Sequence, residues 1–180
     1  MTGRLFLVVG PSGAGKDTLL AGAKAANPAL HWARRVITRP ETAGGEPFEG
    51  VSPDTFNERL ANGDFALHWG AHGLQYGVPQ GELLAMATGR DVLVNGSRAA
   101  LPAALASFPD LKVIRITAPS SVLADRLAAR GRESREDIVA RLQRASYDLP
   151  EGLPVFDIVN DATPEIGVAR LLAALQPVKP

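Results

Sequence analysis

Glycine occupies positions 10, 13 and 15, small or rigid residues fill the gaps, and lysine stands at position 16. The run Gly10-Pro11-Ser12-Gly13-Ala14-Gly15-Lys16 follows an apolar stretch and leads into a helical pattern, which is the context a phosphate-binding loop requires. Residues this small let successive backbone N–H groups turn toward one point. The helix start adds partial positive charge, and the ammonium group neutralises terminal phosphate oxygens. A plain glycine-rich turn would explain the glycines but not a lysine in this register. The chemistry expected is capture of a triphosphate, Mg-ATP above all, and transfer of its last phosphoryl group.

Asp17 follows the lysine, at a place where a serine or threonine hydroxyl normally reaches Mg²⁺. A carboxylate can serve that ion directly or through a retained water, with Thr18 as a nearby hydroxyl. Alternatively, Asp17 only favours the helix start, as negative charge does. A second cluster is basic. Fifteen of the 19 basic residues are arginine, and Arg126, Arg130, Arg132, Arg135, Arg141 and Arg144 fall in one short stretch. The guanidinium fork suits phosphate oxygens, and phosphoryl transfer needs charge on those oxygens neutralised. Arg130, Arg132 and Arg141 are the candidates for that duty. Arg126, Arg135 and Arg144 read better as a solvated helix face laced with acidic neighbours. His31, His68 and His72 carry neither metal-ligand spacing nor a nucleophile partner.

Strand-like runs at residues 5–9, 91–94, 111–116 and 155–159 alternate with helical stretches at 15–26, at 119–130 and from Thr163-Pro164 onward. That alternation predicts an α/β fold of P-loop type, a three-layer sandwich around a mostly parallel sheet. Residues 40–78 break the pattern with a Gly/Pro-rich loop, a short helix after Ser52 and two alternating segments. They are expected to form an inserted acceptor-binding lobe with antiparallel pairing. Residues 130–135 read as an arginine-bearing lid, with Ser134 and Asp137 spaced as a capping box. The core is expected at 1–39 and 79–180, all within one domain.

Lys+Arg and Asp+Glu balance at 19 each, so no uniform field favours nucleic acid or membrane as a partner. Cysteine is absent, which excludes a thiolate nucleophile and cysteine metal sites and suits the cytoplasm. No apolar run approaches the ~20 residues of a membrane span. The sequence leaves oligomeric state open, a homodimer included.

Several segments together carry a family resemblance: GPSGAGKDTLL at 10–20, VITRP at 36–40, FALHWGAHGLQYGVP at 65–79, DVLVNGSRAALP at 91–102, RGRES at 130–134 and Asn160-Asp161. The chain resembles the guanylate kinase superfamily, and within it the ribose 1,5-bisphosphate phosphokinases of phosphonate catabolism. It departs from guanylate kinases where they read the base. Leu67 replaces their glutamate, Thr42 replaces a second phosphate-binding arginine, and Asn95 and Ser97 replace strand-end aspartates. A site that loses such polar groups loses discrimination. The resemblance implies ribose 1,5-bisphosphate as acceptor, ATP as donor and phosphoribosyl pyrophosphate as product. Arg39 and Tyr76 would hold acceptor phosphate, with Arg35, Asn95, Ser97 and Arg98 beside them, and Asn160 and Asp161 would lie near the adenine. The rival expectations are a guanylate-type nucleoside monophosphate kinase and a non-catalytic module that binds phosphoprotein partners.

Overall fold

The strand β1 (Leu5–Val9) is buried along its whole length, so both of its faces need cover. Alternate residues serve two apolar clusters: Leu5, Leu7 and Val9 face one side, Phe6 and Val8 the other. In the computed structural model, which describes residues 3–11, 13–41, 47–129, 131, 134–144 and 148–176 (side chains of 140, 141, 143 and 144 excepted), helices supply that cover. On the Phe6 side lie α1 (Lys16–Ala26), through Leu19, Leu20 and Ala23, and α6 (Pro164–Ala174), through Leu171. On the Leu7 side lie α3 (Leu101–Ser107), through Leu101 and Ala104, and a 3₁₀ segment (Gln80–Thr88), through Leu83. The result is the three-layer α/β sandwich the sequence predicts.

The central sheet also contains β2 (His31–Trp32), β7 (Val92–Asn95), β8 (Lys112–Thr117) and β9 (Val155–Val159). Its order is β2-β7-β1-β8-β9, and every pairing is parallel. Two further helices, α4 (Ser120–Ala128) and α5 (Arg135–Arg144), join β8 to β9. Ser134 Oγ accepts from the amide of Asp137 and Thr163 Oγ from that of Ile166, so both expected caps form.

A second, four-stranded sheet is built from β3 (Arg35–Ile37), β4 (Phe48–Gly50), β5 (Phe65–Ala71) and β6 (Leu74–Pro79), in the order β4-β3-β6-β5. Its helix α2 (Pro53–Ala61) is capped by Ser52 and stacks Phe56 on Phe65, with ring centroids 4.7 Å apart. Two expectations need correction. The sheet begins at Arg35 rather than after residue 40, because Val36 and Ile37 pair with Gly77 and Tyr76. And β3 pairs with β4 in parallel and with β6 antiparallel, whereas β5–β6 is antiparallel as foreseen. The β5–β6 hairpin turns through His72 and Gly73, both at positive φ, as a tight two-residue hairpin turn demands.

The lobe and the central sheet share an apolar cluster. Leu67, Trp69, Tyr76 and Val78 pack into the group that holds Leu7, Val9 and Val94. Among the described residues, no helix is long and apolar enough to cross a membrane.

Candidate active site

At the C-terminal ends of β1 and β7 the core and the lobe enclose a cleft of about 870 Å³. In open α/β sheets this is where ligands bind. Gly10, Pro11, Gly13, Gly15, Lys16, Asp17 and Thr18 line one wall, Arg35, Arg39 and Tyr76 another, and Asn95, Ser97 and Arg98 the strand end between them. Thirteen of the residues singled out from the sequence thus meet in one place. Trp69 and His72 join them from the hairpin.

The loop's shape explains its glycines. A Cβ at Gly10 would lie 2.1 Å from Ile116 O, so the loop could not leave β1 so close to β8. Gly15 has φ 93°, and a Cβ there would lie 2.5 Å from Asn160 Nδ2. Lys16 Nζ donates to Gly10 O at 2.6 Å and to Pro11 O at 3.3 Å, folded against the loop it serves. Ala14 is fully buried and contributes backbone only, while Ser12 lies outside the described residues.

Asp17 Oδ1 accepts a hydrogen bond from Asn95 Nδ2 at 2.6 Å, which fixes the carboxylate at the cleft floor. Arg35 is 8% exposed, and its guanidinium sits 5.1 Å over the Tyr76 ring. Tyr76 in turn lies parallel to Trp69, with centroids 5.6 Å apart and planes 4° apart. Burial pushes the Arg35 pKa down to about 10, against the opposing pull of Asp17, so the group stays cationic at neutral pH. Arg39 sits 4.5 Å over Phe48. Ser97 Oγ accepts from the Ala99 amide at 3.3 Å and caps a 3₁₀ turn, and Arg98 Nη1 reaches Asp148 O at 3.4 Å. Leu67 is buried at 4% exposure, an apolar side chain packed in the core with Trp69 and Tyr76.

Other expectations are redirected. Asn160 is buried and its Nδ2 donates to Ala14 O at 2.7 Å, so its side chain braces the loop from behind instead of facing an open nucleotide surface. Asp161 is exposed and paired with Arg170 at 2.9 Å, a hydrogen bond that holds its carboxyl below the usual range. Arg130 and Arg132 lie outside the described residues, as does the side chain of Arg141 on α5. Arg135 is the solvated pair foreseen, bonded to Asp125 at 2.6 Å. Arg126 is not a solvated residue, because its Nη1 donates to Gly13 O at 3.0 Å and its Nη2 to Asn160 O at 2.8 Å. No local sequence signal marks that role, since the loop partners are 112 and 113 residues away. Trp69 had a signal: Phe65, Leu67 and Trp69 alternate at period two along β5 and share a buried pattern.

A glycine loop with an inward lysine, ending the first strand of a parallel sheet and faced by an inserted lobe, defines a P-loop kinase. The fold agrees. The chain superposes on a guanylate kinase from Anaplasma phagocytophilum with a TM-score of 0.68 at 21% identity, covering 97% of this chain and 85% of that one. A gluconokinase from Sinorhizobium meliloti 1021 aligns at a TM-score of 0.51 and 17% identity, over 97% of this chain and 91% of that one. At such identities the likeness speaks for fold alone.

Sequence relatives go further. The chain is 47% identical to the ribose 1,5-bisphosphate phosphokinase PhnN of Ruegeria sp. (strain TM1040), over 97% of this chain and 92% of that protein. Its identity to the namesake of Agrobacterium fabrum is 44%, over 96% of both. The chain therefore belongs to the ribose 1,5-bisphosphate phosphokinase family. It is also 51% identical, over 97% of its length, to a bifunctional ribose 1,5-bisphosphokinase-thymidine phosphorylase of Azorhizobium caulinodans, and spans only 26% of that longer protein. No family model matches the chain.

Proposed function

We propose that the chain transfers the γ-phosphoryl group of Mg-ATP to the anomeric phosphate of ribose 1,5-bisphosphate, giving phosphoribosyl pyrophosphate and ADP. The observation that carries this reading is the meeting, in one cleft, of a triphosphate loop and a wall bearing Arg35, Arg39 and Tyr76. Two cations on the acceptor side suit a substrate with phosphates at both ends, and the apolar Leu67 offers nothing to a guanine edge.

The loop amides and Lys16 hold the β and γ oxygens of the donor. An oxygen of the acceptor's 1-phosphate attacks the γ-phosphorus in line, a new P–O bond forms, and the bond to the β–γ bridging oxygen breaks with its electrons leaving on ADP. The second pKa of a phosphate monoester is about 6, so the attacking oxygen is already anionic at neutral pH and no general base is required. Arg130, Arg132 and Arg141 are assigned the transition-state charge by their sequence position alone.

Magnesium fits the donor set. Asp17 and Thr18 offer the hard oxygens this ion prefers, and among the described residues no cluster of three or more His, Cys, Asp or Glu forms a full protein cage. A site with one carboxylate and the substrate's phosphates is how Mg²⁺ is commonly held in kinases. Bound there, the ion would neutralise charge on the β and γ oxygens.

The test is incubation with Mg-ATP and either ribose 1,5-bisphosphate or GMP, followed by phosphorus NMR. A new pyrophosphate pair from the sugar and none from GMP is expected. Turnover of GMP alone would replace this reading with a guanylate kinase, and turnover of neither would favour a binding module.

A further inference from the structure

We propose that Arg126 is a positioning residue for the donor site, acting through the loop's backbone to hold it in the shape that grips a triphosphate tail. This rests on the reading of that loop as the donor site. The guanidinium comes from α4, outside the loop, and forks over two elements. Its Nη1 donates to Gly13 O at 3.0 Å and to Ala14 O at 3.3 Å, and its Nη2 to Asn160 O at 2.8 Å. Asn160 adds a second hold on the same point, with Nδ2 donating to Ala14 O at 2.7 Å. Asn160 is itself anchored, its amide donating to Thr117 O at the end of β8.

Peptide planarity turns this bracing into site geometry. In a trans peptide the carbonyl and the following N–H point in opposite directions, and no cis bond occurs among the described residues. Pulling Ala14 C=O back toward Arg126 and Asn160 therefore aims the Gly15 N–H forward, and Gly15 lines the cleft. A phosphate then meets an amide already turned toward it, with no reorganisation left to make on binding. The helix is seated close enough to enforce this, since a Cβ at Gly13 would lie 3.3 Å from Leu127 Cγ. The positive guanidinium behind the loop adds to the field that draws in an anion.

A role through the backbone differs from contact with the nucleoside, and Mg-tripolyphosphate separates the two because it has a tail and no base. Calorimetric titration would compare wild type, Arg126→Gln and Arg126→Lys with Mg-ATP and with Mg-tripolyphosphate, using Lys16→Ala as the reference for a lost donor site. Circular dichroism and the melting midpoint establish that each variant is folded, and lysine, which keeps the charge, carries the comparison if glutamine does not fold. Both ligands should weaken in parallel by about tenfold or more in Arg126→Gln, the size expected for lost charge-assisted hydrogen bonds, with lysine recovering part. In turnover, KM for ATP should rise more than kcat falls. Weakening of ATP with tripolyphosphate unchanged would overturn the proposal in favour of a base contact. Unchanged affinity for both, with Lys16→Ala impaired, would overturn it while leaving the donor site intact. If wild type binds neither ligand, the reading of the loop itself fails.

Discussion

The side-chain amide of Asn95, at the end of β7, donates to Asp17 Oδ1 in the first turn of α1 across 2.6 Å. An amide leaves its partner's negative charge in place, whereas a carboxylate there would compete with it for a proton. Asp17→Asn should raise the Mg²⁺ concentration needed for half-maximal rate. Asn95→Asp puts two carboxylates in contact and raises the pKa of one, so its metal requirement should fall as pH rises. Initial rates in Mg²⁺ titrations from pH 6 to 9 check both, and unchanged metal dependence in the pair would remove Asp17 from the magnesium site.

Lys16→Ala should lower kcat by at least roughly 10²-fold, the scale of a lost transition-state donor. Its melting midpoint should stay close to wild type, because Lys16 Nζ donates to the carbonyls of Gly10 and Pro11 within its own loop and leaves the apolar core untouched. Steady-state kinetics beside a thermal melt decide it, and a near-native rate would discredit the donor site.

Gly15→Ala forces a side chain into φ 93° and against Asn160 Nδ2. A stability loss of ~1–3 kcal/mol is expected, read from a shift in the urea midpoint at constant slope. An unmoved midpoint would mean that the loop tolerates a different path beside β9.

The pH profile follows from Arg35. Burial lowers its folded pKa to about 10, beneath the value of a solvated guanidinium in the unfolded chain. The unfolded chain therefore binds more protons between those values, and this group's contribution to stability rises with pH across that window and is a constant cost below it. Between pH 5 and 9 the guanidinium stays charged. The rate dependence there should come from the acceptor, whose phosphates lose their second proton near about pH 6. kcat/KM for the acceptor should rise through pH 6 and remain level to pH 9, and a fall between pH 7 and 9 would contradict a permanently cationic Arg35.

Local pattern made much of this molecule readable. The loop from Gly10 to Lys16 and the strands beside it are marked by short-range periodicity, and so are the caps at Ser52, Ser134 and Thr163. What escaped depends on partners far along the chain. Arg126 looks like any arginine on an amphipathic helix until β1 and β9 bring Gly13 and Asn160 to it. Asn160 stands out in the sequence beside Asp161, but only the fold shows that its side chain turns inward to Ala14. The second sheet's first strand at Arg35 is not legible locally, because β3 is only three residues long and finds its partners at Gly77 and Tyr76.

The two walls of the cleft stand on one oily foundation, since Leu67, Trp69, Tyr76 and Val78 are packed with Leu7, Val9 and Val94. Loosening either wall disturbs the packing of the other. The proposed grips on donor and acceptor are thereby tied to a common mechanical fate, and heat or denaturant should erase them together.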